Sequence, residues 1–213
     1  MNGRGVPANQ KLALTYYIRA AESEVTQAFF AVGLAYEDGK GVAKNMEEAV
    51  KYYKLGISKG NSDCAIAMGR LYEEGREIEI NEERARKYYR KASDLGSAKG
   101  QFLLGHFLEN GIGGEVDVAS ALENYKAAGN RENYGSTDAL CALAWCYMNG
   151  KGVTRDTEEG KRLYQLAEQR GDTDAGNILR SMSSNAPSFN LKSYDRSGSG
   201  SEEDDDLGLG LFD

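Results

Sequence analysis

The residues of this chain best placed to do chemistry stand at its C-terminal end. Glu202, Glu203, Asp204, Asp205 and Asp206 form five consecutive acids, followed by Leu207, Leu209, Leu211, Phe212 and the terminal Asp213. That chemistry is binding rather than bond-making. The acids keep the apolar residues in solution and steer the segment toward a cationic partner. Leu207 and Leu211 share one face if the segment turns helical, with Phe212 beside them, the arrangement of a peptide that orders in a hydrophobic groove. Gly208 and Gly210 make it a poor helix on its own, so a disordered tail is expected. Ser199 and Ser201 each have an acid three residues on (Glu202 and Asp204), the pattern of a phosphate acceptor for an acid-directed kinase.

Elsewhere the reactive residue types are scattered. His106 is the single histidine, and no nucleophile or orienting partner can be assigned to it from the sequence. Cys64, Cys141 and Cys146 fall at small or apolar repeat positions and read as buried free thiols of a reducing compartment. No short-spaced cluster of ligand residues suggests zinc, so no metal and no cofactor are expected. The strings DGKGV and NGKGV follow helices rather than strands, and their glycines serve turns, not phosphates. No catalytic constellation stands out, and the expectation is a non-enzyme.

The elements that must carry these residues follow from a 36-residue period. Gly33, Gly69 and Gly105 keep that step, as do Gly39, Gly75 and Gly111, Ala49, Ala85 and Ala121, and Tyr53, Tyr89 and Tyr125. After three extra residues the lattice resumes at Ala144, Tyr147, Gly150, Gly160, Tyr164 and Ala167. Such a period marks a solenoid, in which each unit buries its apolar face only against its neighbours. Within 28–60, Ala28, Val32, Gly33 and Tyr36 share a helical face and Gly39 is suited to a left-handed C-terminus. Asn45 is an N-cap candidate for a second helix carrying Ala49, Tyr52, Tyr53 and Gly56. The small residues are expected to let the two helices approach closely, with tyrosines filling the space between hairpins.

Residues 28–60 and 139–171 resemble the Sel-one-like repeat, a relative of the tetratricopeptide repeat, and the resemblance extends over about 3–183. Residues 64–96 depart from its pattern at Glu77 and Ile78, and 100–132 at Leu108 and Gly114–Glu115. The resemblance implies an all-α, right-handed α-solenoid of stacked αα-hairpins over 1–184, acting as a protein-binding adaptor. Residues 185–201, rich in Ser, Gly and Asn, read as a flexible linker, and 202–213 as the docking tail. At the N-terminus, Gly3, Gly5, Val6, Ala13, Tyr16, Tyr17 and Ala20 fit the lattice from within a turn. The favoured expectation is that upstream repeats have been lost, the alternative being that the unpaired helix face docks on a partner or another copy.

The tail is similar to that of the eukaryotic acidic ribosomal stalk P proteins, through Asp204, Asp205, Asp206, Gly208, Gly210, Leu211, Phe212 and Asp213. Leu207 and Leu209 stand where that family has methionine and phenylalanine. The likeness implies docking on translational GTPases or stalk-recognising kinases, with an unknown cargo on the solenoid. The competing expectation is a general adaptor in protein quality control or membrane-enzyme regulation. In that case the tail is merely solubilising, or its leucines pack back on an exposed end helix.

Charge and register bound the rest. Residues 194–213 carry seven acids against one base, while residues 1–193 carry 26 acids against 25 bases. The near balance of that body argues against direct nucleic-acid binding. The absence of a long apolar run in the sequence argues against a membrane span, and a cytoplasmic protein is expected. Equivalent positions 34, 70, 106 and 145 hold Leu34, Arg70, His106 and Trp145. Variation at one register suggests a surface, so Arg70, His106 and Trp145 are candidates for a peptide groove. Trp145 reads equally as inter-repeat packing.

Overall fold

Each period folds as two helices because two kinds of turn recur with it. In the computed structural model, which describes residues 9–130 and 136–183, there are ten helices and no strands among those residues. They are α1 (Gln10–Glu22), α2 (Thr26–Asp38), α3 (Met46–Ser58), α4 (Ser62–Glu74), α5 (Glu82–Asp94), α6 (Ala98–Asn110), α7 (Val118–Gly129), α8 (Thr137–Asn149), α9 (Thr157–Gln169) and α10 (Thr173–Ser183). The even-numbered helices open each repeat and the odd-numbered ones close it. Packing runs almost wholly between chain neighbours, α1 on α2 through to α9 on α10, as a solenoid requires.

The turn inside each hairpin is built the same way four times. Gly39, Gly75, Gly111 and Gly150 end α2, α4, α6 and α8 in the left-handed conformation, with φ near 70°. The next helix opens on a capping Asn45, Asn81, Asp117 or Asp156, whose side chain accepts from a first-turn N–H. The N–H of each capping residue donates back to the carbonyl of Tyr36, Tyr72, Leu108 or Tyr147 at 2.8–2.9 Å, fixing the hairpin. The sequence reading named Asn45 alone among these caps; Asn81, Asp117 and Asp156 repeat it in the lattice.

Two turns depart from glycine. Glu77 has φ 55° at the register of Gly41, Gly113 and Gly152, and Glu24 has φ 61° at that of Gly60 and Gly96. A side chain costs about 1–2 kcal/mol in this region. Each glutamate makes an ion pair to the following or preceding repeat, Glu77 with Lys44 at 2.7 Å and Glu24 with Lys59. Such exposed pairs contribute about 0.2–1 kcal/mol, too little to remove the strain.

The core is a column of Ala49, Ala85 and Ala121 with Tyr53, Tyr89, Tyr125 and Tyr164, all fully or almost fully buried. The rings lie within their own hairpins as well as at the boundaries between hairpins. Tyr53 lies over Gly33 of its own hairpin, Tyr89 over Gly69 and Tyr125 over Gly105. A Cβ built on those glycines would stand 2.4, 2.4 and 2.6 Å from a ring carbon. The missing side chain is therefore the seat of the ring. Packing between hairpins includes the edge-on Tyr89–Phe107 pair, 5.0 Å between centroids, and Gly56 against Cys64.

The ends differ from one another. On α1, Leu12, Tyr16 and Tyr17 are exposed, with Tyr17 at the register where Tyr53 is buried. On α10 the register of Gly33, Gly69, Gly105 and Ala144 is taken by Arg180, which lies near Glu168 and donates to Asn177. A guanidinium there takes the place of the glycine on which the tyrosine rings of the other repeats sit.

Candidate protein-binding face

Four residues beyond each seat glycine stands a carboxylate that the sequence reading passed over. Tyr53 donates its phenol to Glu37 at 2.6 Å, Tyr89 to Glu73, and Tyr125 to Glu109 at 2.7 Å. Glu37 is only 4 % exposed, so its charge must be compensated. Arg70 of the next hairpin supplies the compensation, its Nη2 donating to Glu37 at 2.9 Å. At Glu109 the counter-charge comes from Lys151 at 2.7 Å. The same ammonium lies 5.1 Å from the centroid of the Trp145 ring, a cation–π contact. Burial, followed by the adjacent carboxylates, pushes the Tyr53, Tyr89 and Tyr125 phenols well above their ordinary range.

The fourth repeat breaks this pattern in a compensated way. Met148 stands where the carboxylate belongs, and the Tyr164 hydroxyl is buried without a hydrogen-bond partner. Opposite Met148 the column of alanines gives way to Gly160, where a Cβ would meet the thioether at 2.6–2.7 Å. The larger side chain on one helix is matched by a smaller one on the other. The recurrence of Glu37, Glu73 and Glu109 at the 36-residue step was the signal that could have found the triad in sequence.

The proposed groove residues Arg70, His106 and Trp145 are half-buried on successive first helices, as is Leu34. They stand one per repeat, and each engages its own surroundings rather than the others. Arg70 holds Glu37, His106 Nδ1 lies 3.2 Å from the Asn110 amide with its ring edge-on to Phe107, and Trp145 carries Lys151. These groups can present a cation, an imidazole and an indole to a bound chain. An open cleft also lies between the α1 N-terminus and the first turn, lined by Asn9, Gln10, Lys11, Gly39, Gly41, Val42 and Ala43.

Among the described residues no group of three or more His, Cys, Asp or Glu is disposed to hold a metal ion, and no helix is long and apolar enough to cross a membrane. Cys64, Cys141 and Cys146 are buried free thiols, as their repeat positions suggest, and burial pushes Cys64 and Cys146 up to about 12. The tail positions Asp204, Asp205, Asp206, Leu207, Leu209, Leu211, Phe212 and Asp213, and Ser199 and Ser201, lie outside the described residues.

The fold and its repeat unit have known counterparts. A Sel1 repeat protein from Oxalobacter formigenes shares 28 % identity and a TM-score of 0.74, over 84 % of this chain and 72 % of that one. The protein c5321, a protective antigen of uropathogenic Escherichia coli strains with an SLR fold, shares 30 % identity and a TM-score of 0.73 over 84 % of this chain. This chain spans 38 % of that antigen's length. No curated protein sequence matches the chain. The Sel1 repeat pattern matches residues 1–24, 27–61, 62–97, 98–133 and 137–172, well over half of the sequence, with each match covering one helix pair or, at the start, a single helix. With its glycine seats, buried tyrosines and capped turns accounted for by that repeat, the chain belongs to the Sel1 repeat family.

Proposed function

We propose that the chain is a non-enzymatic adaptor whose solenoid binds a protein cargo while its C-terminal tail docks on translational GTPases or other ligands of the ribosomal stalk. Sel1 repeats generally mediate protein–protein interaction, which supports the adaptor reading of the solenoid. The observation that carries it is the contrast along one register. The lattice keeps its glycines, alanines and tyrosines, while the half-exposed positions change from Leu34 to Arg70, His106 and Trp145. A frame held constant for packing with a variable exposed position is what a peptide-reading surface needs.

The tail's part rests on the spacing of Asp204–Asp206, Leu207, Leu211 and Phe212 before the terminal Asp213. The acids would guide it to a cationic cleft, and the leucines and Phe212 would anchor it, since few apolar residues carry most of the energy of such contacts. Ser199 and Ser201 would add charge beside this segment when phosphorylated.

The test is deletion of residues 202–213 from the full chain, followed by affinity capture of purified stalk-binding factors. The proposal expects loss of factor binding with the solenoid's own cargo retained. Factor binding undiminished by the deletion would refute the role of the tail.

A further inference from the structure

The three glutamates that accept from buried tyrosines differ in what neutralises them. Glu37 is 4 % exposed and is held by Arg70 of the next hairpin. The Glu109 side chain is 10 % exposed and is held by Lys151 of the next hairpin. Glu73, between them, is exposed, accepts from the Tyr89 phenol and forms no ion pair among the described residues. By register, His106 stands to Glu73 as Arg70 stands to Glu37, and Ile112 as Lys151 stands to Glu109. An imidazole reaches less far than a guanidinium, and His106 Nδ1 is turned to the Asn110 amide at 3.2 Å. The cations on the same helix and its turn are committed, Arg70 to Glu37 and Arg76 to Glu74. Lys99 stands two turns from His106, about 10 Å along α6.

Beyond Glu73, two successive first helices carry a ring and an amide four residues apart. Asn110 donates to the His106 carbonyl at 2.9 Å and Asn149 to the Trp145 carbonyl at 2.8 Å. Each amide nitrogen is thus spent on its own helix, and neither Oδ1 has a partner among the described residues. Because an amide nitrogen only donates, His106 Nδ1 accepts from Asn110 and the ring proton is on Nε2. That Nε2–H and the Trp145 indole N–H likewise lack an acceptor among the described residues. Each of the two repeats therefore offers one donor and one acceptor, the complement of a peptide group. Neighbouring helices lie about 8–10 Å apart, a step that three residues of an extended or polyproline-like chain cover at about 3.1–3.4 Å each.

We propose that this face binds an extended peptide by its backbone at the His106–Asn110 and Trp145–Asn149 couples, and that Glu73 receives a lysine or arginine side chain of that peptide. The two equivalent carboxylates are met by an arginine and a lysine of this chain, so the group that suits the third is of the same chemistry. A charge-assisted contact at an exposed carboxylate sets which sequence is chosen more than how tightly it is held. The inference rests on the proposed capture of a protein cargo by the solenoid and adds to it the side chain that is read.

The test is selection of a random-peptide phage library against the immobilised full chain. Lys or Arg is expected at one position at least about fivefold above its frequency in the unselected library. A selected peptide and its counterpart with alanine at that position are then titrated by fluorescence anisotropy. On the wild-type chain the basic peptide should bind about tenfold more tightly, and on Glu73→Gln less than about twofold. Glutamine keeps an acceptor for the Tyr89 phenol, so this variant removes the charge and not the fold. His106→Arg, which gives Glu73 the group that Arg70 gives Glu37, is expected to remove the same preference. Asn110→Ala/Asn149→Ala, both at exposed positions, is expected to weaken the basic peptide and its alanine counterpart alike. Selected peptides without a basic position, or a basic preference that Glu73→Gln leaves intact, would overturn the inference and leave the adaptor reading standing. Undiminished binding to Asn110→Ala/Asn149→Ala would overturn it as well. No enrichment of any peptide would overturn it together with the peptide-reading role of the solenoid.

Discussion

Raising the pH should unfold this protein abruptly, and the structure fixes where. Cys64 and Cys146 are fully buried and pushed up to about 12, whereas a thiol in an unfolded chain releases its proton near 8.5. Tyr53, Tyr89, Tyr125 and Tyr164 are buried with phenols raised above their unfolded value of about 10. All six shifts run upward. The native state thus holds protons that the unfolded chain has lost, and their stabilisation is complete below about pH 8.5 and decays as pH rises. Each retained proton is worth about 1.4 kcal/mol per pH unit. Two thiols remove about 4 kcal/mol between pH 8.5 and 10, and all six groups together remove about 8 kcal/mol per unit above pH 10. A domain stable by about 5–15 kcal/mol then unfolds between about pH 10 and 11.5. Far-ultraviolet circular dichroism and tyrosinate absorbance followed on one sample would check this. The account predicts that a large fraction of the tyrosinate signal appears in the same cooperative step that removes the helix signal. Complete ionisation of all thirteen tyrosines with helicity intact would refute the reasoning.

Further predictions follow from single contacts. Gly69→Ala adds a Cβ 2.4 Å from the Tyr89 ring, so it should destabilise by about 1–3 kcal/mol in urea unfolding despite alanine's better helix propensity. Glu37→Ala removes the acceptor of a buried phenol and the partner of Arg70, and should cost about 2–4 kcal/mol; a double-mutant cycle with Tyr53→Phe should show coupling above about 0.5 kcal/mol. Glu77→Gly relieves a left-handed glutamate at the loss of one exposed ion pair, and should raise the unfolding free energy by up to about 1 kcal/mol. Met148→Glu alone opens a gap against Gly160, whereas Met148→Glu with Gly160→Ala rebuilds the motif of the other repeats. The double variant should therefore be the more stable of the two by thermal melt, and the reverse order would contradict the packing described.

The turns were the most legible part of the sequence because their residues act locally. A glycine at a left-handed helix end and an Asn or Asp whose side chain accepts from the N–H three residues on do their work within a few bonds, so the 36-residue step exposes them directly. The glycine–tyrosine approach was legible only in part: the sequence marks Gly33 and Tyr53 as recurring in the lattice without saying that the ring leans on its own hairpin as well as on the next. Glu37 was hidden for a different reason. A glutamate on an exposed-looking helix reads as surface charge, and only the joint arrival of Tyr53 and Arg70 from two other helices makes it a buried hub. Trp145 and His106 appeared as surface candidates through the variability of their register, and both are half-buried, each engaged within its own repeat.

The central claim is that an adaptor solenoid carries a docking tail, and a synthetic peptide of residues 199–213 tests it most directly. Titrated by fluorescence anisotropy against purified elongation factor two, beside a Leu211→Ser/Phe212→Ser control, it should bind saturably with the control at least about tenfold weaker. Binding that the control reproduces, or none at high micromolar factor, would contradict the account.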